Sequence, residues 1–344
     1  MTLPDYHFLS APLWLVTVLH LLTLTLHFFA MNILVGGAAI TLWASARNRW
    51  DGTQAVDFSR LFPAATAATV TLGVAPLLFL QLVYPGQVYA AAIVSGWFWL
   101  LVIAAVIVAY YAFYRASFSG QRTGRANLVM LTLAMAGLVY VSLVYSSVFS
   151  MAEQPALIRS LYAKDQSGWV WNPAIGSYAL RWLHMLLGAL TVGGFFVGMT
   201  GKDNPKVLAT GKAAFAGGMG LAAAAGFAYL LVLMPYLEAI MRSLAIWSLA
   251  ASILLSLAAL HFYFRKSYWI AGVALFLSVF GMVYLRHTVR ILRLKETFEP
   301  TAWRIAPQWS PFLLFLVCFV VMLAVLVWMF WLFFGAKNQA GRAE

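Results

Sequence analysis

Long apolar stretches without a charged side chain alternate with short polar segments along this chain. The uncharged stretches are 11–46, 61–114, 126–152, 182–201, 213–237, 243–264, 267–285 and 305–336. A helix needs about 20 apolar residues to cross a bilayer, so 61–114 is long enough for two crossings, and the turn residues Tyr84-Pro85-Gly86-Gln87 divide it. The pattern predicts nine transmembrane helices, over 11–46, 61–84, 88–115, 126–150, 173–200, 210–236, 240–264, 268–292 and 310–335.

Composition supports a membrane protein and excludes several other classes. Charged residues make up 9% of the 344 residues and hydrophobic residues 63%, whereas about a quarter of an ordinary soluble domain is charged. A soluble enzyme, a disordered chain and a secreted disulfide scaffold are therefore excluded. The single cysteine, Cys318, lies in an apolar run, which rules out a disulfide framework or a cysteine metal cluster. We expect one all-α integral membrane domain over 1–344, with helices 1–5 in 1–200 and helices 6–9 in 201–344.

The net charge of +12 indicates topology rather than nucleic-acid binding, because basic residues of membrane proteins stay on the cytoplasmic side. The loop charges predict a multi-pass membrane protein with an outside N-terminus and a cytoplasmic C-terminus. One outside segment breaks the rule and contains Arg286, Arg290, Arg293, Lys295 and Arg304. Haem propionates or an acidic partner would explain this excess; a solvated cluster bound to lipid phosphate is the alternative.

Histidines are the main candidates for chemistry, because ionisable side chains inside a membrane are costly and usually functional. His20 and His27 share one face of the first helix, two turns or about 10.5 Å apart. Imidazole is a common axial ligand of haem iron, and helical bundles hold such ligands on facing helices. The predicted haem-iron ligands are His20, His27, His184 and His287. Alternatively, each histidine could have the purely structural role of bonding a backbone carbonyl or a neighbouring helix. This structural role is the preferred interpretation for His7 and His261 at the membrane borders.

Three segments resemble subunit I of the cytochrome bd quinol oxidases. The run from His27 to Gly36 resembles the first-helix haem motif, and Thr71-Leu72-Gly73-Val74-Ala75 resembles a second-helix stretch. Asn172-Pro173 followed by Trp182-Leu183-His184 resembles the fifth-helix segment with a further haem-ligating histidine. The resemblance covers about residues 10–200 and implies that His27 and His184 are haem b ligands. It also implies a location in the bacterial inner membrane.

The chain also departs from that family. The third predicted helix, from Tyr89 to Tyr114, contains no acidic residue, and only five residues separate Tyr236 from Arg242 where the family has a long quinol-binding loop. The resemblance and these departures together imply a b-type cytochrome that lacks the oxygen-reducing site and the long quinol-binding loop. Arg286-His287 is a candidate analogue of the arginine and methionine ligand that the family carries in a late helix.

We therefore expect a membrane cytochrome with two or three haems b. It would transfer electrons between the quinone pool and a periplasmic c-type cytochrome, single-haem or multihaem, and would contact quinol and membrane lipids. Proton release from quinol needs a base at the membrane edge; Glu238 with Arg242, and Glu153, are the candidates, unless they are ordinary loop charges. A reduced bd-like quinol oxidase and a haem-free transporter or channel are the alternative functions.

Overall fold

Helices form almost all of the structure, a computed structural model that describes residues 8–50, 54, 58–118, 125–298, 301 and 304–340. The α-helices are α1 Leu13–Ala46, α2 Phe62–Val83, α3 Pro85–Val94, α4 Gly96–Phe118, α5 Arg125–Ala152, α6 Pro155–Lys164, α7 Ala179–Thr200, α8 Pro205–Val232, α9 Leu237–Met241, α10 Leu244–Phe264, α11 Tyr268–Leu294 and α12 Trp309–Ala340. Short 3₁₀ turns lie at Ile175–Ser177 and Met234–Tyr236. Two short parallel strands pair Phe8–Leu9 (β1) with Arg304–Ile305 (β2).

Nine helices within the described ranges are long and apolar enough to cross a membrane. They are α1, α2, α4, α5, α7, α8, α10, α11 and α12, so the predicted all-α membrane bundle is confirmed. The predicted break after the second span is also present, because α2 ends at Val83 and α3 begins at Pro85. The amphipathic helix α6, between the fourth and fifth spans, has no counterpart in the prediction.

The third predicted helix, 88–115, is interrupted at Ser95 and becomes α3 and α4. A distant loop causes the interruption by bonding the backbone on both sides of it. The amide of Trp97 donates to the carbonyl of Gly168 at 3.1 Å, and the amide of Val170 donates to the carbonyl of Val94 at 3.4 Å. The Ser95 hydroxyl donates to the carbonyl of Val170 at 2.7 Å. The first two bonds satisfy the amide of Trp97 and the carbonyl of Val94, which a continuous helix would pair internally.

Two other boundaries differ from the prediction for local reasons. Helix α8 begins at Pro205 instead of 210, because Asn204 caps it: its side chain accepts from the amides of Lys206 and Val207, and proline suits the first helical position. Helix α7 begins at Ala179 instead of 173, because the residues after Asn172 form a 3₁₀ turn, with the Asn172 side chain accepting from the amide of Ala174 at 2.9 Å.

Glycines let α1, α7 and α8 approach closely at the centre of the bundle. A Cβ on Gly36 would overlap the carbonyl of Ala189, and a Cβ on Gly193 would overlap the backbone of Gly36. Helix α7 meets α8 in the same way, with Gly198 against Gly211. Small residues at such crossings are typical of membrane helices. The α1–α7 crossing fixes the positions of the two helices that carry His27 and His184.

Candidate histidine and arginine site

His27 is held by a carbonyl and a glycine of the neighbouring helix. Its Nδ1 lies 3.0 Å from the carbonyl oxygen of Thr69 on α2. Gly73 follows Thr69 by one turn, and a Cβ there would lie 2.8 Å from Cε1 of the His27 ring. Because a carbonyl only accepts hydrogen bonds, Nδ1 must carry the proton, and the lone pair of the neutral ring is on Nε2. A histidine that ligates a metal is typically oriented by such a bond from its other nitrogen.

His184 is held in the same way by α8. Its Nδ1 lies 2.8 Å from the carbonyl oxygen of Ala222. Gly226 lies four residues further, as Gly73 does from Thr69, and its Cβ would lie 3.0 Å from Cε1 and Nδ1 of His184. In the described part of the chain, no hydrogen bond engages Nε2 of either His27 or His184. We call these two arrangements the histidine seats.

The two seats are part of one repeated pattern that sequence reasoning missed. His27 and His184 are each followed, after seven residues, by Val-Gly-Gly, at 35–37 and at 192–194. The first glycines of these triplets, Gly36 and Gly193, meet at the α1–α7 crossing. The signal was available in the sequence as His-x₇-Val-Gly-Gly, but a pattern of this length becomes informative only when the structure brings its two copies together.

His20 and His287 approach each other, with ring centroids 6.4 Å apart and planes tilted by 52°. His20 is buried, and its Nδ1 lies 3.1 Å from the carbonyl oxygen of Pro76. Its Nε2, unlike that of the seated histidines, faces Nη1 of Arg290 at 3.5 Å. Nδ1 of His287 is buried and has no hydrogen-bond partner among the residues that the structure describes. Of the four candidate ligands, the structure thus brings His20 and His287 together and places His27 and His184 in two separate histidine seats.

The three arginines predicted to bind a cofactor converge on Glu153, just after the end of α5. The Glu153 side chain is 1% exposed and pairs with Arg286, with Arg293 at 3.1 Å and with Arg290 at 3.5 Å. A fourth arginine, Arg181 at the start of α7, acts on the same carboxylate electrostatically. We call this end of the bundle, where α1 and α7 begin and α5 and α11 end, the arginine end. Sequence reasoning missed Arg181, which also donates to the carbonyl of Ser146, because it stands alone at the edge of an apolar stretch.

The environment of Glu153 favours a role as counter-ion over the predicted role as proton-accepting base. Burial alone would raise the pKa of Glu153, but Arg286, Arg181, Arg290 and Arg293 together lower it to about 2. A general base works best when its pKa is near the operating pH. Glu153 therefore stays ionised at neutral pH and holds the guanidinium groups together.

The remaining candidates lie apart from this cluster or outside the described ranges. Glu238 on α9 pairs at 2.6 Å with Arg242, the residue after this helix, but their side chains are 78% and 79% exposed, and such surface pairs contribute little to stability. His261 is exposed near the end of α10, and His7 lies outside the described residues.

A small cavity adjoins the arginine end between α2, α3, α5 and α11. Tyr84, Gln87, Glu153 and Arg290 supply its polar lining, and it has room for about one water molecule. Oε1 of Gln87 is buried without a partner, and a water there would satisfy it. Burial also raises the pKa of Tyr84, so its phenol stays protonated as a hydrogen-bond donor.

The available side-chain ligands suit haem better than a metal centre that needs several protein ligands. Among the described residues, no group of three or more His, Cys, Asp or Glu side chains could hold a metal ion together. Haem iron needs only one or two side-chain ligands, and each histidine seat offers one imidazole nitrogen. No protein-family model matches this chain, and no curated protein matches its sequence. The resemblance to the cytochrome bd family therefore stays a prediction.

Proposed function

We propose that this protein is a membrane-integral b-type cytochrome subunit with at least two haems. It would transfer electrons between the quinone pool and a periplasmic c-type cytochrome. The observation that carries the proposal is the matched seating of His27 and His184: each gives its Nδ1 proton to a carbonyl of the next helix and rests its ring on a glycine.

A purely structural histidine explains these seats less well. Histidines that only join two membrane helices can use both nitrogens, and such bonds are each worth about 0.6 kcal/mol on average. Here both rings use one nitrogen for a backbone bond, and two neighbouring helices provide glycines where a side chain would displace the rings. The arrangement orients Nε2 and leaves it available, as haem ligation requires.

The proposed ligands are His27 and His184, with His20 and His287 as the candidates for a third haem. A bound haem would supply reversible one-electron oxidation and reduction. A haem at His20 requires Arg290 to turn away from Nε2, because its Nη1 lies 3.5 Å from that nitrogen. The geometry thus favours the two seats as the first sites to fill.

We also propose that the arginine end faces the periplasm in the bacterial inner membrane, since the loop charges favour an outside N-terminus. This orientation would put three basic residues on the side of the membrane where such residues are usually scarce, namely Arg286, Arg290 and Arg293. Their pairing with Glu153 balances only part of their positive charge. Electrons would pass between the protein and its partner at this end.

Histidine variants in the purified full-length chain test this proposal. His27→Ala and His184→Ala should each lose one haem per chain in a pyridine haemochrome assay, because each removes one axial ligand. His261→Ala is the matched control, since His261 is exposed at a helix end, and it should keep the wild-type spectrum. Unchanged haem content in both seat variants would refute the ligand assignment. Oxygen consumption with quinol would instead favour the reduced oxidase.

A further inference from the structure

The arginine end contains more positive charge than its one buried carboxylate can balance. Arg181, Arg286, Arg290 and Arg293 surround Glu153, so four positive charges face one negative charge and leave +3. Among the residues that the structure describes, no second carboxylate pairs with any of these arginines. Buried charges are costly unless they are paired, so the surplus indicates an anionic ligand.

Two of the guanidinium groups have a nitrogen without a partner among the described residues. Nη1 of Arg181 and Nη1 of Arg286 are both buried and make no hydrogen bond there. Arg181 is 5% exposed, and its Nη2 is already fixed by the carbonyl of Ser146 at 3.0 Å. The hydroxyl of Tyr229 on α8 is also buried and has no hydrogen-bond partner in the described part of the chain, and it interacts electrostatically with both arginines. Hydrogen-bond donors on three helices, α7, α8 and α11, are thus available to an acceptor.

Two of these donors, on Arg181 and Tyr229, belong to the same pair of helices as the His184 seat. Arg181 precedes His184 by three residues on α7, and Tyr229 follows Gly226 by three residues on α8. Residues three apart lie on one helix face, separated by about 4.5 Å along the axis. Both therefore lie one turn from the seat, and Arg181 lies on its arginine-end side.

We propose that Arg181, Arg286 and Tyr229 bind the two carboxylates of the haem whose iron His184 holds. This inference rests on the proposed function. Guanidinium groups bind carboxylates through paired hydrogen bonds, and two carboxylates would reduce the local charge from +3 to +1. Glu153 then positions Arg286 for the ligand. A lipid phosphate offers the same oxygen chemistry, so the test must separate the two sources.

The first test is the redox potential of the haems in the purified full-length protein. In protein saturated with haem, Arg181→Gln should shift the reduction equilibrium of one haem at least tenfold towards the oxidised form, because it removes a nearby positive charge that favours the added electron. A tenfold shift in a one-electron couple is about 59 mV. Arg265→Gln, an exposed arginine after α10, is the matched control and should leave every potential unchanged. Potentials in Arg181→Gln equal to those of the control would overturn the inference.

The second test asks whether the carboxylates themselves are recognised. Haem-free full-length protein should bind haem at least tenfold more tightly than haem dimethyl ester, and Arg181→Gln should lose this preference. Tyr229→Phe should reduce it without risk to folding, since only a hydroxyl is removed; Tyr111→Phe, at an exposed tyrosine, should not. The site would be assigned to lipid phosphate instead by two results together. The wild type would bind haem and the ester equally, and native mass spectrometry would show a bound phospholipid that Arg181→Gln loses. Absence of any haem binding would refute the proposed function itself.

Discussion

Replacing Gly73 by alanine is expected to displace the His27 ring without removing it. The new Cβ would lie 2.8 Å from Cε1 and 2.9 Å from Nδ1 of His27, whereas carbon atoms in ordinary contact are about 3.5–4.0 Å apart. The ring must therefore retreat from α2 by roughly 0.7–1.2 Å. The bond from Nδ1 to the carbonyl of Thr69 is 3.0 Å, and a retreat of this size breaks it.

The consequences for stability and for haem binding differ in size. Alanine is favoured over glycine within a helix by about 1 kcal/mol, which offsets the loss of one hydrogen bond worth about 0.5–1.5 kcal/mol. Loss of a bond that orients a metal ligand typically lowers metal affinity 10–100-fold. Gly73→Ala should therefore leave the melting temperature close to that of the wild type and weaken one haem at least tenfold. The same change at Gly226 should act on the other haem less strongly, because the clash with His184 is milder, at 3.0 Å.

The assay is the rate at which haem transfers from the purified protein to excess apomyoglobin, measured beside the thermal unfolding curve. Gly217→Ala is the matched control, since a Cβ at this α8 glycine meets nothing within 4 Å. One haem of Gly73→Ala should be lost at least tenfold faster than in the control. If both variants retain their haem equally while remaining folded, His27 does not hold haem from this seat.

Three further predictions concern the packing and charge of the bundle. Glu153→Gln should lower the free energy of unfolding by about 3–5 kcal/mol, because it leaves buried guanidinium groups without their carboxylate; chemical denaturation in detergent measures this, and a change below 1 kcal/mol would contradict it. The pKa of Glu153 is lowered from 4.5 to about 2 in the folded protein, so its stabilisation is complete above pH 4.5 and is lost as the pH falls towards 2; the melting temperature should drop across this range in the wild type and drop less in Glu153→Gln. Gly193→Val should separate α1 from α7 and abolish folded yield, since a Cβ there overlaps Gly36, whereas Gly217→Val at an open position should not.

The spans could be predicted from the sequence because each is a property of one continuous segment. An uncharged stretch of sufficient length needs no information about its neighbours, and the break at Pro85 follows from turn residues alone. The interruption at Ser95 could not be predicted in this way, because the groups that bond around it, at Gly168 and Val170, are more than 70 residues away. The early start of α8 was predictable from Asn204-Pro205, a cap followed by a favoured first residue.

The candidate site shows the same division between local and distant information. Histidines inside apolar helices stand out from the sequence, and so does the arginine cluster of α11. The sequence could not show that these arginines meet Glu153, since their partner is more than 130 residues away. Arg181 was missed because it stands at the edge of an apolar stretch, where a basic residue looks like an ordinary flank. The carbonyls and glycines of the histidine seats belong to other helices, so they appear only when the helices are packed.

The haem content of the purified wild-type protein tests the central claim most directly. Reduced and oxidised visible spectra, quantified by pyridine haemochrome, should show at least two haems b per chain. A colourless protein, or one with fewer than two haems per chain, would contradict the proposal that both His27 and His184 hold haem.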